Sequence, residues 1–518
     1  MEALSRGGSG AEVADLLKGL RARGVRLWEE HGRLRYVAPK GVITPRDIYA
    51  LKSWSQKILA QLRHPTDLDS DLANSRLWYA PLSYTQLARW NAFDLRHRKS
   101  LRQIASAIHL QGCLNGSALR ESVAIVAAHH DALRTRIVIR DGVPEQQISQ
   151  ASAPTLQEMV ITDQRDGVKA ESSWELEQCV LETVDVLNDP LVCVRLLKTS
   201  DYESLLIVAM EHSIADTMSL SILLRDLFTA YRALDRNELV SLPKVEQQFW
   251  AYAKAQKARE QRWLESHHSY WSHRLLGGTG VRFPQASGGA PGVGGWGIAP
   301  VCLSSECVAA FRSSCVSRRT TLSLGIFSVF AALILRWSGL QNGVLQFQSN
   351  GRFGKEVENT IGFFASALYL RLDLHANDRL ADLLVRVTQE YCAAHEHADL
   401  SYFEAQPLRP PFIDAVCFNW IPRDGDLSID STAHGGIDGG IACRAIPIVE
   451  PWLKGLNVDG EPIVLLRETD VGISGGIYFP MSRFDPDSIW KLGAIFERWV
   501  VECTRSPDQR LSELELGA

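Results

Sequence analysis

Residues Ser204 to Tyr231, SLLIVAMEHSIADTMSLSILLRDLFTAY, leave the backbone few choices. Ser204 to Met210 is a mostly apolar, uncharged run of strand length, the pattern of a strand buried on both faces. From Leu220 onward, Leu220, Leu223, Leu224, Leu227, Phe228 and Tyr231 recur at the spacing of one helical face. The reading is a strand, a tight loop and a helix, with Glu211, His212 and Asp216 in the loop. Titratable groups where a strand end meets a helix N-terminus occupy a common place for chemistry in α/β proteins, so this loop is the candidate active site. A lone histidine after a buried strand is as often a satisfied core residue. Asp216 argues for more, because a buried carboxylate needs a partner such as an arginine. An imidazole near its ordinary pKa of about 6.5 also suits general base work at neutral pH.

A chain of 518 residues exceeds one ordinary core and predicts two or three packed units. With 46% apolar and 22% charged residues it is neither disordered nor fibrous in composition. A net charge of -5 gives no reason to expect nucleic acid or an anionic membrane as partner. The start, MEALSRGGSG, lacks a basic stretch followed by an apolar core, and no uninterrupted apolar run of about 18 residues occurs, so a cytoplasmic location is expected. The 10 Cys show no C-x-x-C pair and no paired metal-ligand spacing, so neither disulfides nor a metal are expected.

Residues 1–10 read as disordered. Ala11 to Arg23 carries Val13, Leu16, Leu17 and Leu20 on one face, with Gly24 as C-cap. Val25–Trp28 and Arg33–Val37 flank Glu29 to Gly32 as a β-hairpin, and Thr44-Pro45 starts a helix through Ile48, Leu51, Ile58 and Leu62. Residues 1–64 hold twelve Lys/Arg against six Asp/Glu. A basic hairpin with an open edge, carrying Arg26, Arg33 and Arg35 with Lys40 nearby, suits an acidic peptide strand; a solvated helical cap would give similar charges. His64 to Pro81 reads as a linker, and the large body begins at Leu82. LNGSALRESVAIVAAHHDALRTRIVI (Leu114 to Ile139) is a long amphipathic helix running into a strand. The Gly/Pro-rich stretch Gly277 to Gly297 predicts an irregular crossing between 82–276 and 298–505, two similar layered α/β halves.

Three motif matches fail on context. Gly292, Gly294 and Gly297 fit G-x-G-x-x-G without a strand before them. Gly472-Ile473-Ser474-Gly475-Gly476 fits the serine-hydrolase elbow, but the last histidine is His434, so the required order is not met. His395, His397, Asp399 and Glu404 read as a solvated helix end.

Taken in order, LSYTQLARW, HHDALRTRI, MEHSIADTMS, NTIGFFASALYLRLDL and HADLSYFEA, followed by VCFNW and DVGISGGIYFPMSRFDP, resemble the successive core motifs of nonribosomal peptide synthetase condensation domains over residues 82 to about 505. The helix–hairpin–helix order with GVRLWEEHGRLRYVAPKG at 11–63 is similar to the N-terminal β-hairpin docking domains of modular peptide and polyketide synthases. The first resemblance implies two chloramphenicol-acetyltransferase-like halves in a V with a tunnel between them. His212 matches the catalytic second histidine of the family's HHxxxDG motif, Asp216 its structural aspartate, and Arg134 that aspartate's salt-bridge partner. Ser366, Asn419 and Trp420 fall on strands near the family's tunnel. The chain departs from the motif at Glu211, where the family has its first histidine, and at Thr217, where it has glycine. If that backbone needed φ > 0, threonine would fit it poorly.

The resemblance therefore implies acyl transfer from a phosphopantetheine thioester, carried by a partner protein docked in trans through 11–63, to an amine or alcohol presented by a small molecule or by a second carrier. No adenylation domain and no G-x-D-S-L phosphopantetheine site occur in the sequence, so a free-standing enzyme is expected. A non-catalytic recruitment domain of the same fold, supported by Glu211 and Thr217, and an epimerase are the rival readings.

Overall fold

The computed structural model describes residues 20, 26–30, 33–37, 43–55, 77–92, 99–101, 104–160, 182–281, 283, 295–397, 416–423, 441–446 and 462–517. The chain forms two compact units, Met1–Leu77 with Ser149–Ala151, and Trp78–Ile148 with Ser152–Ala518.

In the first unit, Arg26–Glu30 and Arg33–Val37 pair antiparallel, with Trp28 opposite Arg35 and Glu30 opposite Arg33. The predicted hairpin is present, and Arg26, Arg33 and Arg35 lie on its two strands. A helix, Pro45–Ser53, follows. Thr44 caps it by accepting from the Asp47 amide, and Asp47 in turn accepts from the Thr44 amide at 2.8 Å, so two of the orphan donors at the helix start are satisfied. Leu20 is helical and buried; the rest of the predicted first helix, and Lys40, lie outside the described residues.

The second unit is a mixed α/β body with two main sheets. One has five strands in the order Ala442–Ile446, Ile104–Gln111, Glu203–Met210, Val192–Lys198, Leu156–Val160, antiparallel except for the last pair. Glu203–Met210 is its middle strand, and strand alternation sends its side chains to two cores. Leu206, Val208 and Met210 meet the helices Gly116–His129 and Thr217–Asp235, while Leu205, Ile207 and Ala209 join Ala107, Cys193 and Leu197 on the other face. That double burial is what the uncharged run required. All six apolar residues of the predicted helical face are buried in Thr217–Asp235.

The other sheet has six strands, Trp296–Ser304, Gly472–Pro480, Ile463–Thr469, Cys417–Ile421, Asn342–Ser349 and Ser366–Asp373. The helices Ser305–Ser317, Leu322–Trp337, Leu380–Glu396 and Pro486–Arg505 pack on it. The segments are interleaved. Ala442–Ile446, from late in the chain, pairs with Ile104–Gln111, and Val357, Ile361 and Phe364 pack in the core beneath the first sheet. Among the described residues no single helix is long and apolar enough to cross a membrane.

Three expectations need correction. Trp78–Pro81 is not linker but an edge strand paired with Val143–Ile148, in a three-stranded sheet with Thr135–Arg140. Pro81 looks like a breaker, yet an edge strand tolerates it, and its carbonyl accepts from Gln146 Nε2 at 2.8 Å. The ends of the Gly/Pro-rich crossing are ordered: Val281 donates to the Val344 carbonyl at 2.9 Å and Trp296 begins a strand; 282 and 284–294 lie outside the described residues. His395 and His397 are half-buried in an aromatic cluster, His395 against Phe353 and His397 stacked on Tyr270 at 3.9 Å, rather than solvated; Asp399 and Glu404 lie outside the described residues. Ser474 sits mid-strand opposite Arg467 and Cys302, so no exposed nucleophile turn exists there.

Candidate active site

The loop 211–216 joins the buried middle strand to the helix Thr217–Asp235, and its ionisable side chains Glu211, His212 and Asp216 each hold defined partners. Asp216 is the N-cap. Its Oδ1 accepts from the Ser219 amide at 2.8 Å, which stabilises the helix start by satisfying an orphan donor next to the positive end of the dipole.

Asp216 is also the buried carboxylate that needed an arginine, and the arginine is Arg352. Its Nη1 reaches Oδ2 at 2.8 Å and its Nη2 reaches Oδ1 at 3.0 Å, a bidentate pair with both side chains almost fully buried. The Phe364 and Ala365 amides add bonds to Oδ2 at 3.1 and 3.2 Å. Burial pushes the carboxyl up, but the Arg352 charge and the bonds from Arg352 and Ser219 outweigh it and hold Asp216 below its ordinary range.

Arg134 is therefore not the partner that the resemblance implied. It ends the short 3-10 turn Asp131–Arg134, where its Nε donates to the Ala127 carbonyl at 2.9 Å and its Nη2 pairs with Asp131 three residues back. Local partners claim the guanidinium before it can reach the loop.

Arg352 comes from the segment after Asn342–Ser349, and two glycines let that segment close on the loop. Gly351 has φ +66°, and a Cβ there would stand 1.9 Å from the Phe364 oxygen. A Cβ on Gly362 would stand 2.2 Å from the Phe249 ring. Between them, Ser219 Oγ lies 2.8 Å from the Gly362 carbonyl and accepts from the Gly362 amide at 3.0 Å.

His212 sits half-buried between these groups, with Phe363 tilted against its ring at 4.4 Å. Its Nδ1 is 2.8 Å from the Ala215 carbonyl. A carbonyl can only accept, so Nδ1 carries the proton and Nε2 is the bare nitrogen of the neutral ring. Burial pushes the imidazole down, the Arg89 charge adds to this, and Glu211, the Ala215 bond and Asp216 oppose it; the net shift is downward. The ring is thus a neutral base at pH 7, held by the bond that fixes its tautomer.

Glu211 is fully buried and paired with Arg89, whose Nε and Nη2 lie 3.1 and 2.8 Å from Oε1. Its Oε2 accepts from the Ser213 amide. Thr217 is the exposed first residue of the helix and is not among the residues with positive φ, so the backbone asks nothing there that threonine cannot supply. Ser366 is buried at the start of its strand, directly after the amides that bind Asp216. Asn419 and Trp420 lie on Cys417–Ile421 in the six-stranded sheet, opposite Leu465 and Leu466, with Trp420 packed on that sheet's core.

Sequence reasoning missed Arg352, Arg89 and Phe363. Two of them stand within quoted motifs, Arg89 in LSYTQLARW and Phe363 in NTIGFFASALYLRLDL, and Asn350-Gly351-Arg352 carries the turn signal of a strand end.

A second buried group lies on the same helix. His130 Nε2 is 2.8 Å from Asp226, whose other oxygen accepts from Arg225 Nε at 2.8 Å, and His129 Nε2 is 2.9 Å from the Pro243 carbonyl. These three side chains bring ligand-type atoms within 4.8 Å of one another, and the Asp226 oxygens and one ring nitrogen of each histidine already have protein partners.

The condensation-domain family matches residues 79–406, and the TubC N-terminal docking domain matches residues 13–64. Among curated relatives, malpinin synthetase of Mortierella alpina is 24% identical over 87% of this chain, and phosphinothricin tripeptide synthetase PhsC of Streptomyces viridochromogenes is 26% identical over 62%. The matched regions are 6% and 30% of those two proteins, so the chain spans a small part of their length. The fold is similar to the first condensation domain of the calcium-dependent antibiotic synthetase (16% identity, 86% of this chain and 100% of that one, TM-score 0.65). It is equally similar to the X-domain in its complex with OxyB from teicoplanin biosynthesis (20% identity, 86% and 97%, TM-score 0.66). The chain belongs to the condensation-domain family and carries a TubC-type docking domain at its N-terminus.

Proposed function

We propose that this chain is an acyltransferase that moves an acyl group from the phosphopantetheine thioester of a carrier protein to an amine or alcohol, in nonribosomal peptide or hybrid polyketide assembly. The observation that carries this is the His212 tautomer: Nδ1 is committed to the Ala215 carbonyl, which leaves Nε2 as a bare, half-buried base. Nε2 takes a proton from the nucleophile as its nitrogen or oxygen attacks the thioester carbon. The C–N or C–O bond forms, the C–S bond breaks, and the thiolate leaves with the proton returned from the imidazolium. No acyl-enzyme is needed, and the main contribution of the loop is orientation. The carrier docks in trans through residues 11–63, adding an acidic strand to the edge of the Arg26–Val37 hairpin near Arg26, Arg33, Arg35 and Lys40. The setting is taken to be cytoplasmic.

The test is intact-protein mass spectrometry of an acyl-loaded carrier mixed with candidate amines and alcohols and with wild type or His212→Ala. Wild type unloads the carrier, and His212→Ala slows this by about 10²–10⁴-fold. A second reading, a non-catalytic recruitment domain, is favoured by one pair of observations: Glu211 in place of the motif histidine, and a fold shared with an X-domain whose complex is with another protein. It takes over if the carrier binds and neither form unloads it.

A further inference from the structure

His212 is gripped from two sides. Asp216 and Arg352 hold the helix side. The strand side is held by the helix Tyr84–Ala92, through two side chains one turn apart. Arg89 donates twice to Glu211 Oε1, and Gln86 donates from Nε2 to the Ser213 carbonyl at 2.8 Å, while its own Oε1 accepts from the Ser83 amide at 2.9 Å. The residues immediately before and after His212 are thus fixed to one helix face, and the Glu211 carboxylate spans them by also taking the Ser213 amide. Glu211 and Gln86 are essentially fully buried, so this grip works in a low-dielectric setting. The charged groups facing the imidazole are Arg89 and Glu211 from this side and Asp216 from the other, with Arg352 behind Asp216; Phe363 covers a ring face.

A histidine at 211 could not do what the glutamate does. A neutral imidazole accepts at one nitrogen, whereas Glu211 accepts from two guanidinium donors and an amide.

We propose that Arg89, acting through Glu211, is a positioning residue for His212: the two charges are required together, to fix the loop on either side of the imidazole and to cancel one another beside it. This inference rests on His212 being the base of the reaction proposed above.

The test separates the two claims by reading His212 directly. In full-length protein with ¹³C-labelled histidine rings, with His212 assigned by loss of its signal in His212→Ala, the imidazole is titrated by NMR. Glu211→Gln removes the anion beside the imidazole and lowers the midpoint; Arg89→Met removes the cation and raises it, by about one pH unit each. Arg89→Met also takes the guanidinium away from a buried carboxylate, so Arg89→Lys and the double variant Arg89→Met/Glu211→Gln carry the test if that single variant does not fold. Arg89→Lys titrates close to wild type, and the double variant returns towards it. In the carrier assay, Glu211→Gln slows unloading about tenfold, and Arg89→Lys stays within about threefold of wild type. Midpoints that do not move, or move in the same direction in variants of opposite charge, overturn the pairing. If His212→Ala unloads the carrier as fast as wild type, the catalytic reading fails while the titration still decides whether Arg89 and Glu211 act as a unit on His212.

Discussion

The helix Thr217–Asp235 carries two buried carboxylates, each beside a histidine and each paired with an arginine, and the two groups do opposite things with the same parts. At its N-terminus, Asp216 takes Arg352 and leaves His212 to a backbone carbonyl. Farther along, Asp226 takes His130 itself. Both imidazoles are pushed down, first by burial, and both carboxylates are held low by their partners in spite of burial. The difference lies in where the neutral ring keeps its bare nitrogen. His130 gives its Nε2 proton to a carboxylate, which leaves Nδ1 buried with no partner, where no substrate reaches it. His212 gives its Nδ1 proton to a carbonyl and is only half-buried, so the ring that carries its bare nitrogen is not sealed in the core. A histidine beside a buried carboxylate is thus chemical or structural according to which partner fixes its tautomer.

The largest expected effect separates the two arginines. Arg352 is almost fully buried and binds Asp216 bidentately, so Arg352→Ala strands a buried charge and costs about 3–5 kcal/mol, read as a lowered denaturant midpoint. Arg225 is 42% exposed, and Arg225→Ala costs at most about 1 kcal/mol. Equal losses would mean that the two carboxylates are held alike, and the comparison would collapse.

The next largest separates the histidines. His130→Ala removes a buried hydrogen-bond partner and costs about 1–3 kcal/mol, while the folded protein unloads a carrier at the wild-type rate. His212→Ala behaves the other way, losing rate with stability nearly unchanged. A rate loss in His130→Ala with a wild-type melting profile would contradict the assignment.

Proton linkage gives a smaller effect that both histidines share. Each has a folded pKa below its unfolded value of about 6.5, so as pH falls below 6.5 the unfolded chain binds protons before the folded one does. The stability contributed by the neutral rings is complete above that value and is lost as pH falls towards the folded values. The denaturant midpoint of wild type should drop between pH 7 and 5.5, and His130→Ala should drop less. The acid limb of carrier unloading should also lie below 6.5, and a limb above 6.5 would refute a depressed base.

How much of this was legible follows from the range of each interaction. The middle strand and the six-residue helical face were readable because local periodicity reports burial directly. The place of His212 and Asp216, in one loop between that strand and that helix, was readable because the strand–loop–helix order fixes it. The partner of Asp216 was not: Arg352 lies 136 residues away in sequence, while Arg134, the candidate that the motif supplied, is bound by Asp131 three residues back and by the Ala127 carbonyl. Arg89 was hidden for the same reason, since nothing in LSYTQLARW says which of its polar side chains faces a loop 122 residues on. Interleaving defeats a linear reading as well, because a strand from 442–446 completes a sheet built from 104–210.

The smallest expected effect concerns the departure that looked most serious in the sequence. A threonine where the family motif has glycine would be strained only at positive φ, and Thr217 instead begins a helix with its side chain exposed. Glycine there gains no relief and loses helix propensity, so Thr217→Gly should destabilise by less than about 1 kcal/mol and should not raise the rate of carrier unloading. His212 keeps its tautomer in that variant, because the Ala215 carbonyl and the Asp216 cap do not depend on the side chain at 217. A gain of tenfold or more from the glycine would mean that the proposed carrier unloading needs a loop backbone conformation other than the one described, and the contrast between a half-buried and a sealed imidazole would then have to be drawn from that second conformation.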